Sequence, residues 1–253
     1  MDKQPALAKP APGYEGGAQI EMTEDEARAL VASRAWHHRF EIFPGVVTPG
    51  RYDPQFLLDK LALPDDLNGA RVIDIGTSNG FFARELHKRG ADVHAVDYRD
   101  KTATGFAIME QLYGQPIPFT HANIYDIPDL GVFDYALCLG VIYHVPDIAR
   151  AIDVLYKLTR PGGVVFIESY FEEFGVELPL ARYFAADTLG GDPTNFWAPN
   201  IACIRALLDD AGFSVTGEID RWGDRCLVRG ESRARSKKFA IAYKARTPQD
   251  TPR

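Results

Sequence analysis

Tyr143 and His144 stand side by side where the apolar run FDYALCLG gives way to VIYHVPD. Two side chains that both donate and accept hydrogen bonds, placed at the end of a buried strand, suit proton handling. An imidazole with an ordinary pKa near 6.5 can take a proton from a hydroxyl or an ammonium at neutral pH. A backbone hydrogen bond at a strand end would account for the same histidine, and simple packing for the same tyrosine. Glu168 ends the next apolar run, GVVFIES, and adds a carboxylate able to hold an ammonium or act as a second base. Upstream, DIGTSNGFF (74–82) carries Gly76 and Gly80, which permit a tight turn and close approach of a ligand, while amides at the following helix start face an anionic group. Ser78 and Phe81 occupy the places of the second and third glycines of a dinucleotide fingerprint, so a pyrophosphate has less room. Asp97 closes DVHAVD, 23 residues after Asp74, close to the spacing of roughly 20 at which an acid meets a ribose diol. A surface aspartate at a strand end is the plainer alternative. Ala122, Asn123 and Ile124 could edge an adenine, although Asn123 equally suits a turn.

The rhythm of the chain supplies the elements that would position these groups. After Asn68-Gly69, apolar runs alternate with amphipathic segments, the pattern of βαβ units and a parallel sheet. Strands are expected at 70–76, 92–97, 118–123, 133–140 and 163–169, with helices around 81–89, 104–113 and 148–158. A further helix covers IACIRALLDDAG and stops at Gly212, and FSVTGEID and KKFAIAYKA read as closing strands. Thr23 with Glu26 marks a capping-box start for a helix reaching about Arg34, and Asp53-Pro54 opens a short helix, QFLLDKLAL. Residues 1–20, rich in Ala, Pro and Gly, read as a tail, and 21–69 as an N-terminal lid before a core over 70–253. The stretch at about 171–198 exceeds the roughly 2–6 residues of an ordinary βα loop and follows a strand's carboxyl end, where open α/β sheets bind ligands.

Taken together, WHHRFEI with GVVTPGRYD, DIGTSNGFF, LGVIYHVPD with PGGVVFIES, and NFWAPNIACIRALLDDAGF resemble the class I S-adenosylmethionine-dependent methyltransferases, over about residues 70–245. Within that class the sequence looks like the branch holding the tRNA wobble-uridine carboxymethyltransferases and many small-molecule methyltransferases. The resemblance implies an α/β, Rossmann-like, doubly wound sheet of seven mostly parallel strands, with an N-terminal helical lid and an insertion after the fifth strand. It implies S-adenosylmethionine as cofactor, a nucleoside carrying an amino acid rather than a pyrophosphate. Gly76, Ser78, Gly80, Asp97, Tyr98, Asn123, Ile124, Leu139 and Gly140 would line it, and Arg51 could pair with its methionine carboxylate. The fourth strand then lies mid-sheet with its carboxyl end toward the reactive methyl, so that Tyr143 and His144 stand where donor and acceptor meet. Glu at the position of Glu168 is common in that branch and could be shared scaffold. Trp36 and His37 from the lid, with Arg182, Tyr183, Asn195 and Trp197 from the insertion, are the candidate acceptor contacts. His37 and His38 are adjacent and point to different sides, so no metal site follows from them.

Where the wobble-uridine enzymes are expected to carry a basic residue, within the stretch matching DPTNFWAPN, this chain has Thr194 and none. The departure points to plain methyl transfer. A net charge of −7 and a pI of about 5.4 disfavour nucleic acid as partner, because phosphate contacts call for a basic footprint. Arg221, Arg225, Arg229, Arg233, Arg235, Lys237 and Lys238 could still form one basic face. No opening apolar h-region and no run near 18 apolar residues appear, so a soluble, cytoplasmic chain without a membrane partner is expected. Cys138, Cys203 and Cys226 form no C-x-x-C pair and read as reduced packing residues. The expected function is methyl transfer to a hydroxyl or amine of a small organic acceptor, as a tailoring step in biosynthesis, with a homo-oligomer compatible. A tRNA wobble-uridine modifier is the alternative, and a nucleotide-binding regulatory module without catalysis the third reading.

Overall fold

The computed structural model describes residues 21–217 and 219–234. The expected tail at 1–20, the strand over KKFAIAYKA and the basic residues Arg235, Lys237 and Lys238 lie outside them.

Near the start of the described residues, Thr23 forms a reciprocal cap on α1 (Glu24–Ala32): its hydroxyl accepts from the Glu26 amide at 3.3 Å, and its own amide donates to the Glu26 carboxylate at 2.8 Å. The helix stops at Ser33, just short of Arg34. Between α1 and the next helix lies a small antiparallel pair, β1 (Glu41–Phe43) and β2 (Val46–Val47), turning at Gly45 with φ +76°. The short helix after Pro54 is α2 (Gln55–Lys60).

The core then alternates as the apolar rhythm requires: β3 (Arg71–Ile75), α3 (Phe81–Lys88), β4 (Asp92–Asp97), α4 (Phe106–Tyr113), β5 (Phe119–His121), β6 (Phe133–Leu139), α5 (Ile148–Leu158) and β7 (Thr159–Tyr170). Strands such as RVIDI are buried at nearly every position because helices cover both faces of the sheet, which is why they read as unbroken apolar runs. The insertion holds a hairpin, β8 (Ala181–Tyr183) with β9 (Trp197–Pro199), before α6 (Ile201–Ala211). Asn200 caps α6 through the Cys203 amide at 2.8 Å and binds the insertion by donating to Leu178 O at 2.8 Å. The chain closes through β10 (Phe213–Val215), β11 (Asp220–Trp222) and β12 (Arg225–Ser232).

The sheet order is β10-β12-β7-β6-β3-β4-β5, parallel from β7 to β5; β12 runs antiparallel to both its neighbours, β7 and β10. Those are seven strands; β11 pairs with β12 alone and makes eight. The long closing strand is RCLVRGES, a segment to which the sequence patterns assign no element. Its buried apolar run, Cys226 to Val228, is only three residues long and is bounded by Arg225 and Arg229, so it carries little strand signal. One core lies under the lid, α3 and α4, and the other under α5 and α6. Strand order reverses between β3 and β6, and the crevice outside their carboxyl ends is the topological switch point where such sheets bind ligands.

Candidate active site

The bend between β3 and α3 is held in an unusual conformation. Gly76, Ser78 and Gly80 have φ of +77°, +53° and +80°. A Cβ on Gly76 would lie 2.4 Å from Val141 Cγ2, so only glycine fits beside the turn that follows β6. Ser78 tolerates a left-handed backbone because its amide donates to Asp97 Oδ2 at 2.9 Å. Asp97 is 2 % exposed and also accepts from the Arg99 amide at 2.9 Å and its Nε at 3.2 Å. The acid expected at the ribose is therefore also the anchor of the bend.

Beneath the bend sits a residue the sequence reading used only as a spacing mark. Asp74 is 2 % exposed; the Thr77 hydroxyl and the Ala83 amide lie close enough to favour its carboxylate, while Oδ2 lacks a well-formed hydrogen bond. Burial raises its carboxyl to about 6. Asn79 was also overlooked: its Oδ1 accepts from the His37 amide at 2.7 Å and the His38 amide at 3.4 Å, tying the lid to the bend. His37 O in turn accepts from the Arg51 amide at 3.1 Å, which brings Arg51 beside this junction with its side chain exposed. The His37 pKa is lowered by desolvation and then by the charges of Arg99, Arg225 and His144, which gather around it. Trp36 does not join them. Its ring fills the space over Gly105 and its Nε1 donates to Val31 O at 2.8 Å, so the expected acceptor contact is a core residue of the lid.

On the adenine side, Tyr98 is 62 % exposed and Ile124 buried. Asn123 caps the single turn Ile124–Asp126, accepting from the Tyr125 amide at 3.1 Å, the turn role weighed for it above.

The carboxyl ends of β6 and β7 converge on the remaining candidates. Leu139 pairs with Glu168 across the sheet, and the Gly140 amide donates to Glu168 O at 3.0 Å. A Cβ on Gly140 would stand 3.7–3.8 Å from Arg225 Nη2, Glu168 Oε2 and the Tyr143 hydroxyl, so the glycine leaves that space open among three polar groups. Arg225 arrives from β12, binds Glu168 through Nε at 2.5 Å and Nη2 at 2.7 Å, and lies 4.6 Å over the Tyr143 ring. Burial works against the Arg225 charge, but Glu168 more than offsets it and raises the pKa. Glu168, expected as a second base or an ammonium ligand, is thus already engaged by a cation. Arg225 had no sequence signal as a site residue. The Tyr143 ring centroid also lies 4.1 Å from that of His144, and burial raises the phenol pKa, so it stays protonated.

His144 ends the single turn Ile142–His144, with Nδ1 3.0 Å from Thr194 Oγ1 and 3.2 Å from Thr194 O. Its pKa is lowered, by burial first and by Arg225 and Arg99 among the rest. The insertion is stapled to the same turn: the Phe196 amide donates to Tyr143 O at 2.8 Å and Trp197 Nε1 to Pro146 O at 3.1 Å. Asn195 donates to Leu189 O, leaving its Oδ1 buried without a partner. Arg182 pairs with Glu172 at 3.1 Å, and Tyr183 is 55 % exposed with its ring 5.0 Å from Trp197. These last two occupy the outer strand of the hairpin rather than the turn at His144. Of the basic residues that could form one face near the C-terminus, Arg221 pairs with Glu173 and Arg225 with Glu168.

The methyltransferase domain family matches residues 50–218, from just before α2 to past β10. The chain belongs to that family. Its cofactor is S-adenosylmethionine, as the sequence resemblance implied. The residues present fit it: an open glycine bend, an unpaired buried carboxylate oxygen for an ammonium, and clear space at Gly140. The chain is 32% identical over 160 residues to a ubiquinone biosynthesis O-methyltransferase of Aeromonas salmonicida, covering 60% of this chain and 63% of that one. It is 30% identical to a tRNA U34 carboxymethyltransferase of Campylobacter lari, covering 59% and 51%. The chain thus spans about half to three fifths of the length of these curated relatives. Among solved structures, the N-terminal domain of EvdMO1 with S-adenosylhomocysteine bound has a TM-score of 0.65 at 18% identity, covering 86% of this chain and all of that one. The Burkholderia thailandensis 1,6-didemethyltoxoflavin-N1-methyltransferase has a TM-score of 0.56 at 20% identity, covering 71% and 76%. Both share the Rossmann-like fold. Among the described residues, no helix is long and apolar enough to cross a membrane.

Proposed function

We propose that this methyltransferase acts on a hydroxyl or amine of a small organic molecule. The observation that carries the reading is His144, with its pKa lowered, beside Tyr143 at the carboxyl end of β6 and beneath the docked insertion. Bound S-adenosylmethionine supplies an electrophilic methyl on a sulfonium, so the protein's work is alignment, exclusion of water and removal of the acceptor's proton. His144 takes that proton, being neutral and available at pH 7. Tyr143, packed against Arg225 and His144, orients the reacting pair and offers an aromatic face to positive charge. Asp97 holds the ribose, Asp74 the amino end, and Gly140 leaves room for the close approach. Phe196, Trp197 and the open acceptor of Asn195 form the wall against which an organic acceptor lies.

A tRNA wobble-uridine substrate is the second reading, supported by likeness to the Campylobacter lari enzyme. The acidic net charge and the pairing of Arg221 and Arg225 with glutamates count against it. The two separate when the enzyme is incubated with methyl-labelled S-adenosylmethionine and either a small-molecule extract or bulk tRNA. Label is expected in a small organic product; label in tRNA alone would overturn the first reading.

A further inference from the structure

We infer that Asp192 and Thr194 are positioning residues that hold the His144 proton on Nδ1 and so leave Nε2 as the basic nitrogen. This deepens the reading of His144 as proton acceptor and rests on it.

The inference follows from counting protons. The Thr194 hydroxyl has one to give, and its Oγ1 lies 2.6 Å from Asp192 Oδ1, which can only accept while ionised. Asp192 is kept in that form because hydrogen bonds from Thr194, the side chain's foremost, lower its pKa. Oγ1 therefore has only a lone pair for His144 Nδ1 at 3.0 Å. Thr194 O, 3.2 Å from the same nitrogen, is a carbonyl and also only accepts. Both contacts demand Nδ1–H, and a neutral imidazole protonated there carries its lone pair on Nε2. The Thr194 amide donates to Asp192 Oδ1 at 2.8 Å, which closes the turn that presents all three groups.

His144 and Thr194 are 50 residues apart and meet only because the insertion docks on the turn after β6. The insertion thereby orients the base as well as walling the acceptor space, and the acceptor side of the cleft is coupled to proton removal. Five groups face His144: Tyr143 from its own turn, Arg225 from β12, Arg99 after β4, His37 from the lid and Asp192 from the insertion. Of these, only Asp192 brings negative charge, so it favours the imidazolium, while Arg225 and Arg99 oppose it.

Two-bond proton–nitrogen spectra of 15N-labelled protein saturated with S-adenosylhomocysteine read the tautomer without any acceptor substrate, with His144→Gln for assignment. The wild type is expected to show protonated Nδ1 and bare Nε2 at pH 7.5. Thr194→Val should move part of the population to the other tautomer, and Thr194→Ser should restore the wild-type pattern. Asp192→Asn should lower the pH at which His144 titrates, an effect that a merely structural role would not produce. A wild-type protein with the proton on Nε2, or an Asp192→Asn variant titrating at the wild-type pH, overturns the inference. Failure of the protein to bind S-adenosylhomocysteine in the same sample would instead defeat the methyl-transfer reading beneath it.

Discussion

Replacing Asp74 with Asn should make the free protein more stable and its cofactor complex weaker. Asp74 is 2 % exposed, and burial raises its carboxyl from 3.8 to about 6. An acid whose folded pKa lies above its unfolded value opposes folding once ionised. That cost is absent below the unfolded value of 3.8, grows as pH rises, and is complete above about 6. A shift of about 2 units, at 1.36 kcal/mol each, puts the cost at roughly 3 kcal/mol at pH 7.5. Asn carries no charge, so Tm at pH 7.5 should rise by roughly 2–4 °C per kcal/mol recovered in a chain of this size, and hardly at all at pH 4. For the cofactor the sign is opposite, because only the carboxylate attracts an ammonium. Wild-type Kd for S-adenosylhomocysteine scales as 1 + 10^(pKa − pH) and should be about tenfold weaker at pH 5 than at pH 7.5. The variant should bind more weakly at pH 7.5 and with little dependence on pH. Calorimetric titration and thermal melts across that range measure both effects. A variant less stable than wild type at pH 7.5, or one that keeps the wild-type pH dependence of binding, would refute the reasoning.

Other substitutions probe the rest of the cleft. His144→Ala should slow methyl transfer by about 10²–10⁴ while leaving S-adenosylhomocysteine affinity nearly unchanged; a loss under about threefold would reduce His144 to a strand-end hydrogen bond. Arg225→Met leaves Glu168 buried and unpaired and should cost roughly 3–5 kcal/mol in urea unfolding. Adding Glu168→Gln should recover much of that, and a double variant as unstable as the single would show that the ion pair is not the cause. Asn79→Ala frees the His37 and His38 amides, so limited proteolysis within 21–69 should accelerate; unchanged cleavage would mean that other contacts hold the lid.

Local patterns made the parallel core legible. The runs that became β3, β4, β6 and β7 are apolar because both their faces are covered, and the Thr23 and Asn200 caps sit where short polar side chains precede helical periods. Glycines at 76, 80 and 140 marked the bend and the open space because each has φ > 0 that other side chains rarely adopt. What escaped was set by distant parts of the chain. Arg225 enters the cleft only because β12 pairs antiparallel with β7, which lays its side chain along Glu168. Thr194 was read only for the charge it lacks, although its hydroxyl is what reaches His144. Trp36 was misassigned because an aromatic beside two histidines suits a binding wall and a packed lid equally well, and only its contact with Gly105 decides between them. The β1–β2 pair is too short to show a strand period, and the apolar run of β12 is only three residues long.

A crystal structure of the protein grown with S-adenosylhomocysteine tests the central claim most directly. The ribose hydroxyls are expected on Asp97 and the amino-acid end over the bend from Gly76 to Gly80. Density for the ligand away from the carboxyl ends of β3 and β4 would contradict the account.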